Sequence, residues 1–215
     1  MCIGYCILIK RAVIDRIGGL SEEVERAFFE DEDFSARAQQ AGFQCVVAEA
    51  SYVYHAEHQS VRHLPEREAL FAKNRKWCEE RWGRRIRLAW PRFEPVVPGS
   101  DELRPWLEQM IQWARKRTLV YVYSPMPSGV SAEVLFRSVG LVPHIDVHWH
   151  AVPAAFAPWA TLGFILQRRK KPFDIIVAPT KRWERRVARL KWLHGADVVP
   201  LGDDAQLVKR WQHRS

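Results

Sequence analysis

The chain has 215 residues, 47% hydrophobic and 12% aromatic, and its 33 Lys and Arg against 25 Asp and Glu give a net charge of +8. This length fits one ordinary domain or two small ones, and the apolar content can fill a core, which excludes an intrinsically disordered chain. The four cysteines, Cys2, Cys6, Cys45 and Cys78, include no Cys-x-x-Cys pair. The sequence therefore predicts no metal knuckle or dense disulfide framework and favours a reduced, cytoplasmic protein.

The first part of the chain mixes strand and helix patterns. In chain order, these patterns predict a buried strand at 3–9, helices at 11–17 and 31–41, β-rich stretches at 43–48 and 51–54, and an amphipathic helix at 65–82. A stretch with three prolines and one glycine follows at 89–100 and predicts a boundary. The predicted organisation is a first domain at 1–88, a linker at 89–100 and a second domain at 101–215.

The second domain alternates regularly. Its pattern predicts, in chain order, helix 101–115, strand 119–123, helix 130–139, strand 144–149, an apolar buried helix with its approach at 151–166, strand 173–178, helix 181–193, strand 197–201 and helix 203–213. Strands that alternate with helices indicate a small parallel α/β layer. On a strand, His144, His148 and His150 would share one face, but a polar strand end is favoured over a metal site.

The excess positive charge raises the question of an anionic partner. No zinc-finger, RNP-type or helix-turn-helix pattern accompanies the charge, so nucleic acid is disfavoured. The uncharged run 151–166 is short for a bilayer span and contains Pro153 and Pro158. The basic cluster at 168–171 follows it directly, which leaves contact with an anionic membrane surface open, peripheral at the inner membrane face.

The most distinctive motif is an acidic helix start, Glu30-Asp31-Glu32-Asp33. Carboxylates at a helix N-terminus accept hydrogen bonds from free N–H groups and complement the helix dipole, so the motif has an explanation without function. Arg37 lies four residues after Asp33, which predicts a pair on one helix face.

The surroundings of this motif point to a family. The run from 4 to 60 resembles the second half of the catalytic domain of family 2 glycosyltransferases, which have the GT-A fold. The residues that carry the resemblance are Gly4, Arg11, Gly18-Gly19-Leu20, Glu30-Asp31-Glu32-Asp33-Phe34, Arg37, Ala41-Gly42-Phe43 and His55. The implied fold class is α/β, with a partial GT-A-like (Rossmann-like) half-domain followed by the small parallel α/β domain.

The resemblance implies transfer of a sugar from a nucleotide-sugar donor to a saccharide or lipid-linked acceptor, in polysaccharide or glycoconjugate assembly. It implies that Asp31 is the general base, that Glu30 and Asp33 shape the acceptor side, and that Mg²⁺ or Mn²⁺ neutralises the leaving diphosphate. It also implies a cation-ligand role for His55, although a lone His at a strand end is as readily an ordinary loop residue.

One departure from the family pattern matters. Nothing before residue 30 matches the half that carries the nucleotide-binding strands and an Asp-x-Asp. We therefore expect either a truncated start or a partner chain that supplies the donor site, and no nucleotide-binding residues are predicted. The alternative hypothesis is a non-catalytic interaction or acceptor-binding module that keeps the acidic helix for its packing.

Overall fold

A computed structural model describes residues 4, 6–25, 27–46, 48, 50–55, 65–167 and 171–202. The chain divides into two compact units, residues 1–84 and residues 85–214, which we call unit 1 and unit 2. The division falls before the predicted linker at 89–100, because the first three residues of that stretch belong to a strand of unit 2.

The described part of unit 1 is helical. Its helices are α1 (Arg11–Ile17), α2 (Glu30–Gln40) and α3 (Arg67–Trp82). Their bounds lie within two residues of the predicted helices. A small core of Val13, Phe34 and Ala38 joins α1 to α2.

The strands predicted in unit 1 are wrong at the residues that the structure describes. The stretches 6–9, 43–46 and 51–54 have no strand structure, and the Leu8 side chain is 100% exposed. A β-strand is stabilised by hydrogen bonds to a neighbouring strand, and the described residues of unit 1 include no strand with which these could pair. Apolar and β-branched composition alone was therefore not sufficient to predict strands in unit 1.

Unit 2 is built on a parallel sheet. Its strands are β1 (Ile86–Pro91), β2 (Thr118–Ser124), β3 (Val147–Ala151), β4 (Ile175–Ala178) and β5 (Asp197–Pro200). They lie in the order β3-β2-β1-β4-β5, and every neighbouring pair is parallel. This is a Rossmann-like arrangement, in which the strand order reverses between β1 and β4. The predicted parallel α/β layer is confirmed.

Helices cover both faces of the sheet. They are α4 (Leu103–Arg115), α5 (Ala132–Ser138), α6 (Ala157–Leu166), α7 (Lys181–Ala188) and α8 (Lys191–His194). Alternate residues of each strand point to opposite faces. Leu88 and Val122 therefore pack in a first core with α4 and α5, whereas Ala89 and Ile176 pack in a second core with α6 and α7.

Strand β1 was not predicted, although its sequence carries a signal for it. Ile86, Leu88 and Trp90 alternate with other residues and are all buried in the first core. Arg85 and Arg87 beside them, and the Pro91 that ends the strand, make the segment resemble a polar, proline-rich connection. This short segment is a strand because it lies in the middle of the sheet, hydrogen-bonded on both sides, and Ala89 is also buried, in the second core.

Helix α6 confirms the predicted apolar helix, but only one side of it is buried. Ala157, Thr161 and Ile165, spaced four residues apart, face the sheet. The predicted helix 203–213 lies outside the described residues. No helix in the described part of the chain combines the length and apolar character needed to cross a membrane.

Candidate active site at the start of helix α2

Two residues in the left-handed region precede α2. Phe28 has φ 70° and Phe29 has φ 74°, a conformation that costs energy for bulky residues and persists only where neighbours enforce it. Both rings pack on Phe71 of α3, with centroids 5.3 and 5.2 Å away. The direction of the acidic helix start is therefore set by contacts with α3.

Asn74 of α3 holds the loop that enters this turn. Its buried side-chain amide donates to the carbonyl oxygen of Glu25 at 2.9 Å and to that of Ala27 at 2.7 Å. Sequence analysis missed this residue. The available signal was its position on the i, i+4 stripe between Leu70 and Cys78, where a polar residue faces the interior and needs partners.

An open depression lies beside the same loop. Its volume is about 370 Å³, and it is lined by Glu22, Val24, Glu25, Glu66 and Leu70. Carboxylates mixed with apolar side chains can bind a polar molecule that has apolar faces, such as a sugar.

Asp31 lies in the first turn of α2, half-buried, with both carboxylate oxygens engaged. Oδ1 accepts from the backbone N–H of Glu32 at 2.8 Å, which satisfies one of the free donors of the helix start, as the sequence predicted. Oδ2 accepts from the backbone N–H of Gly4 at 2.9 Å. A Cβ at Gly4 would lie 3.3 Å from the Cβ of Asp31, so the close approach favours glycine there.

Glu30 precedes Asp31 and is partly buried. Burial raises the pKa of Glu30, and the charge of Asp31 adds to this shift against a backbone hydrogen bond that lowers it. Oε2 of Glu30 is inaccessible to solvent and has no hydrogen-bond partner among the residues that the structure describes. A charged carboxylate oxygen that is buried without a partner is costly in free energy, which favours the protonated form of Glu30.

Asp33 differs from its neighbours because it is completely buried. It accepts from Arg37 Nε at 2.8 Å, as the spacing predicts, and from Trp82 Nε1 of α3 at 2.9 Å. Arg37 in turn donates to the carbonyl oxygens of Ile17 and Gly19, at 2.7 and 2.8 Å, at the end of α1. Asp33 therefore joins three helices, and its carboxylate lies away from solvent.

The cation-ligand role of His55 stays a prediction. His55 is exposed. Within the described ranges, no three His, Cys, Asp or Glu side chains are grouped so as to hold a metal ion.

His148 and His150 share one face of β3, as predicted, but His144 precedes the strand and does not. The rings of His148 and His150 stack beside Tyr121 and Tyr123, at 4.8 and 5.1 Å respectively. Burial lowers the pKa of His144 and also the pKa of His148. In the described structure the rings of His148 and His150 contribute to aromatic packing on the sheet.

Comparison with known proteins yields a partial match. No family model matches the chain, and no solved structure matches it. A segment of 79 residues, 36% of the chain, is 33% identical to "Uncharacterized protein y4gI" of Sinorhizobium fredii (strain NBRC 101917 / NGR234). The matched segment is 9% of that protein's length, so a related segment occurs within a much longer chain.

Proposed function

We propose that unit 1 is the acceptor side of a glycosyltransferase that resembles family 2, with Asp31 as its general base. The observation that carries the proposal is the adjacency of Asp31, half-buried in the first turn of α2, and Glu30, whose pKa burial raises. The resemblance of residues 4–60 supplies the family and the GT-A-like half-domain. Both carboxylates lie in the first turn of α2, whose direction is set by α3.

The proposed reaction is an inverting transfer. The acceptor hydroxyl oxygen forms a bond to the anomeric carbon while the bond from that carbon to the nucleoside diphosphate breaks, and the hydroxyl proton passes to the Asp31 carboxylate. A partly buried Glu30 carboxylate would accept a hydrogen bond from a second acceptor hydroxyl. Asp33 acts as a positioning residue in this scheme, since it is held by Arg37 and Trp82.

The nucleotide sugar would be bound by residues outside this unit. We propose that the donor site lies either in a further segment of a longer polypeptide, as the match to a segment of a much longer protein would allow, or in a partner chain. Mg²⁺ or Mn²⁺ would belong with that donor site, as the resemblance implies, and His55 would be an additional ligand. The acceptor is a saccharide or a lipid-linked saccharide.

The test is transfer from labelled nucleotide sugars into acceptors present in membranes of the source cells, with Mg²⁺ or Mn²⁺ and with the purified chain added. We expect incorporation that depends on the chain and that falls about 10²–10⁴-fold with Asp31→Asn, the contribution of a general base. The matched control is Asp15→Asn on α1, an exposed acid, which should change the rate less than twofold. Full activity of Asp31→Asn would exclude the general-base role.

The second candidate is a non-catalytic acceptor-binding module. The observation that favours it is that both oxygens of Asp31 accept backbone hydrogen bonds, a structural use of the carboxylate. If the chain is such a module, no donor sugar is consumed when it is added, but Glu30→Gln still weakens its binding to the glycan. The absence of chain-dependent incorporation with every donor, together with retained glycan binding, would decide for the module.

A further inference from the structure

The helices that cover the second core of unit 2 carry large apolar side chains that are exposed to solvent. On and beside α6, Phe156 is 65% and Trp159 63% exposed, and on α8 Trp192 is 79% and Leu193 51% exposed. We call these four residues the apolar patch. Helix α6 has no charged residue, and its exposed side is as apolar as its buried side.

A basic stripe lies on α7, between α6 and α8 in sequence. Its members are Lys181, Arg182, Arg185, Arg186 and Arg189, all exposed. Their spacing of i, i+1, i+4, i+5 and i+8 places them along one side of the helix, whereas Trp183 and Val187 are buried toward the sheet. In the described part of the chain, no carboxylate lies within ion-pairing distance of these five side chains.

The stripe and the patch belong to one surface. The guanidinium of Arg186 lies over the ring of Trp159, with Cζ 5.7 Å from the ring centroid. Helix α8 contacts α6, and buried His194 of α8 hydrogen-bonds the carbonyl oxygen of Val187 at 3.0 Å. Exposed tryptophans therefore lie together with arginines that have no carboxylate partner among the described residues, on the layer formed by α6, α7 and α8.

We propose that this surface docks unit 2 on an anionic membrane. Tryptophan, with its apolar ring and polar N–H, is enriched at the membrane–water interface, and arginine and lysine side chains are attracted to anionic headgroups. A nucleic acid would also be attracted by the stripe. The exposed Leu193 and the uncharged outer side of α6 fit an acyl-chain boundary better than a phosphate backbone.

The experiment measures co-sedimentation of the full chain with vesicles of phosphatidylcholine alone or mixed with an equal part of phosphatidylglycerol. We expect binding to the mixed vesicles only. The triple variant Arg182→Gln, Arg185→Gln, Arg189→Gln should bind about 100-fold more weakly, because each basic side chain near an anionic surface contributes about fivefold. Circular dichroism and the melting temperature should be unchanged, since the three side chains are exposed.

The matched control is Arg104→Gln, Arg115→Gln, Arg137→Gln, which removes the same charge from exposed positions on α4 and α5, on the other face of the sheet. It should weaken vesicle binding less than fivefold. Equal losses in the two triple variants would mean that only net charge acts and would overturn the proposal. So would the absence of vesicle binding, or tighter binding to a DNA duplex than to the mixed vesicles.

A separate variant tests the apolar contribution. Trp159→Ser with Trp192→Ser keeps every charge and should leave a weak binding that disappears at high ionic strength, because only the screened electrostatic attraction remains. Unchanged binding of this variant at high ionic strength would also overturn the proposal. Each outcome is independent of sugar transfer, which is tested in unit 1.

Discussion

Asp33 accepts a hydrogen bond from Arg37 Nε at 2.8 Å across one turn of α2, and its carboxylate is completely buried. A second Arg–carboxylate pair with the same spacing, Arg75 and Glu79 on α3, has the same 2.8 Å distance but is partly exposed. The two pairs share this distance but differ in environment and in the order of acid and arginine along the helix. They therefore form an internal comparison of buried and exposed ion pairs.

We predict that Asp33→Ala lowers the free energy of unfolding by about 3 kcal/mol, because it leaves the buried end of Arg37 without its carboxylate partner. Glu79→Ala should cost only about 0.5 kcal/mol, since an exposed pair is screened by solvent. Urea unfolding followed by circular dichroism measures both. Equal costs for the two substitutions would contradict the structural role of Asp33.

Asn74 should determine the position of the loop before α2. Asn74→Ala removes two donors and leaves the carbonyl oxygens of Glu25 and Ala27 without them, at a cost of about 1–3 kcal/mol. The neighbouring Lys73→Ala breaks only an exposed ion pair with Glu25 and should cost about 0.5 kcal/mol or less. Proteolysis within residues 20–29 should also be faster in Asn74→Ala than in Lys73→Ala, and equal rates would show that Asn74 does not hold the loop.

Glu30 predicts a pH dependence of stability. Since burial raises the pKa of Glu30 in the folded state, folding favours the protonated form, and stability falls as the pH rises through the range between the unfolded and folded pKa values. Glu30→Gln removes this loss, so it should stabilise the protein at neutral pH. This gain in stability should disappear at a pH below the ordinary pKa of a glutamate side chain, where Glu30 is protonated in both the folded and the unfolded chain. Melting temperatures at the two pH values measure the difference, and a gain of equal size at both would contradict the prediction.

His148 predicts the opposite dependence. Because burial lowers the pKa of His148, folding favours the neutral ring, and stability is lost as the pH falls below the ordinary histidine value of about 6.5. His148→Gln should reduce the loss of melting temperature between neutral and mildly acidic pH. An undiminished loss in His148→Gln would place the acid-sensitive group elsewhere.

Periodic patterns in the sequence were sufficient to predict most helices. Local apolar spacing predicts the helices at 11–17 and 65–82 and the alternation of strands and helices after residue 101. The spacing is informative because side chains repeat with different periods along helices and strands. The acidic first turn of α2 and the Asp33–Arg37 pair also follow from spacing within one helix. These features are determined within a few turns of chain.

Tertiary structure decided the rest. The apolar residues at 6–9 and 43–46 could be strands only with a neighbouring strand. Segment β1, by contrast, is a strand with five of its six residues buried because β2 and β4 lie on either side of it. The distinction between Asp31 and Asp33 likewise depends on α3, since Trp82 approaches only Asp33. Four adjacent carboxylates are equivalent in sequence. Asp33 is buried and hydrogen-bonded to another helix, whereas Asp31 lies in the first turn of α2. This difference depends on contacts between residues far apart in the chain, which the local sequence does not show.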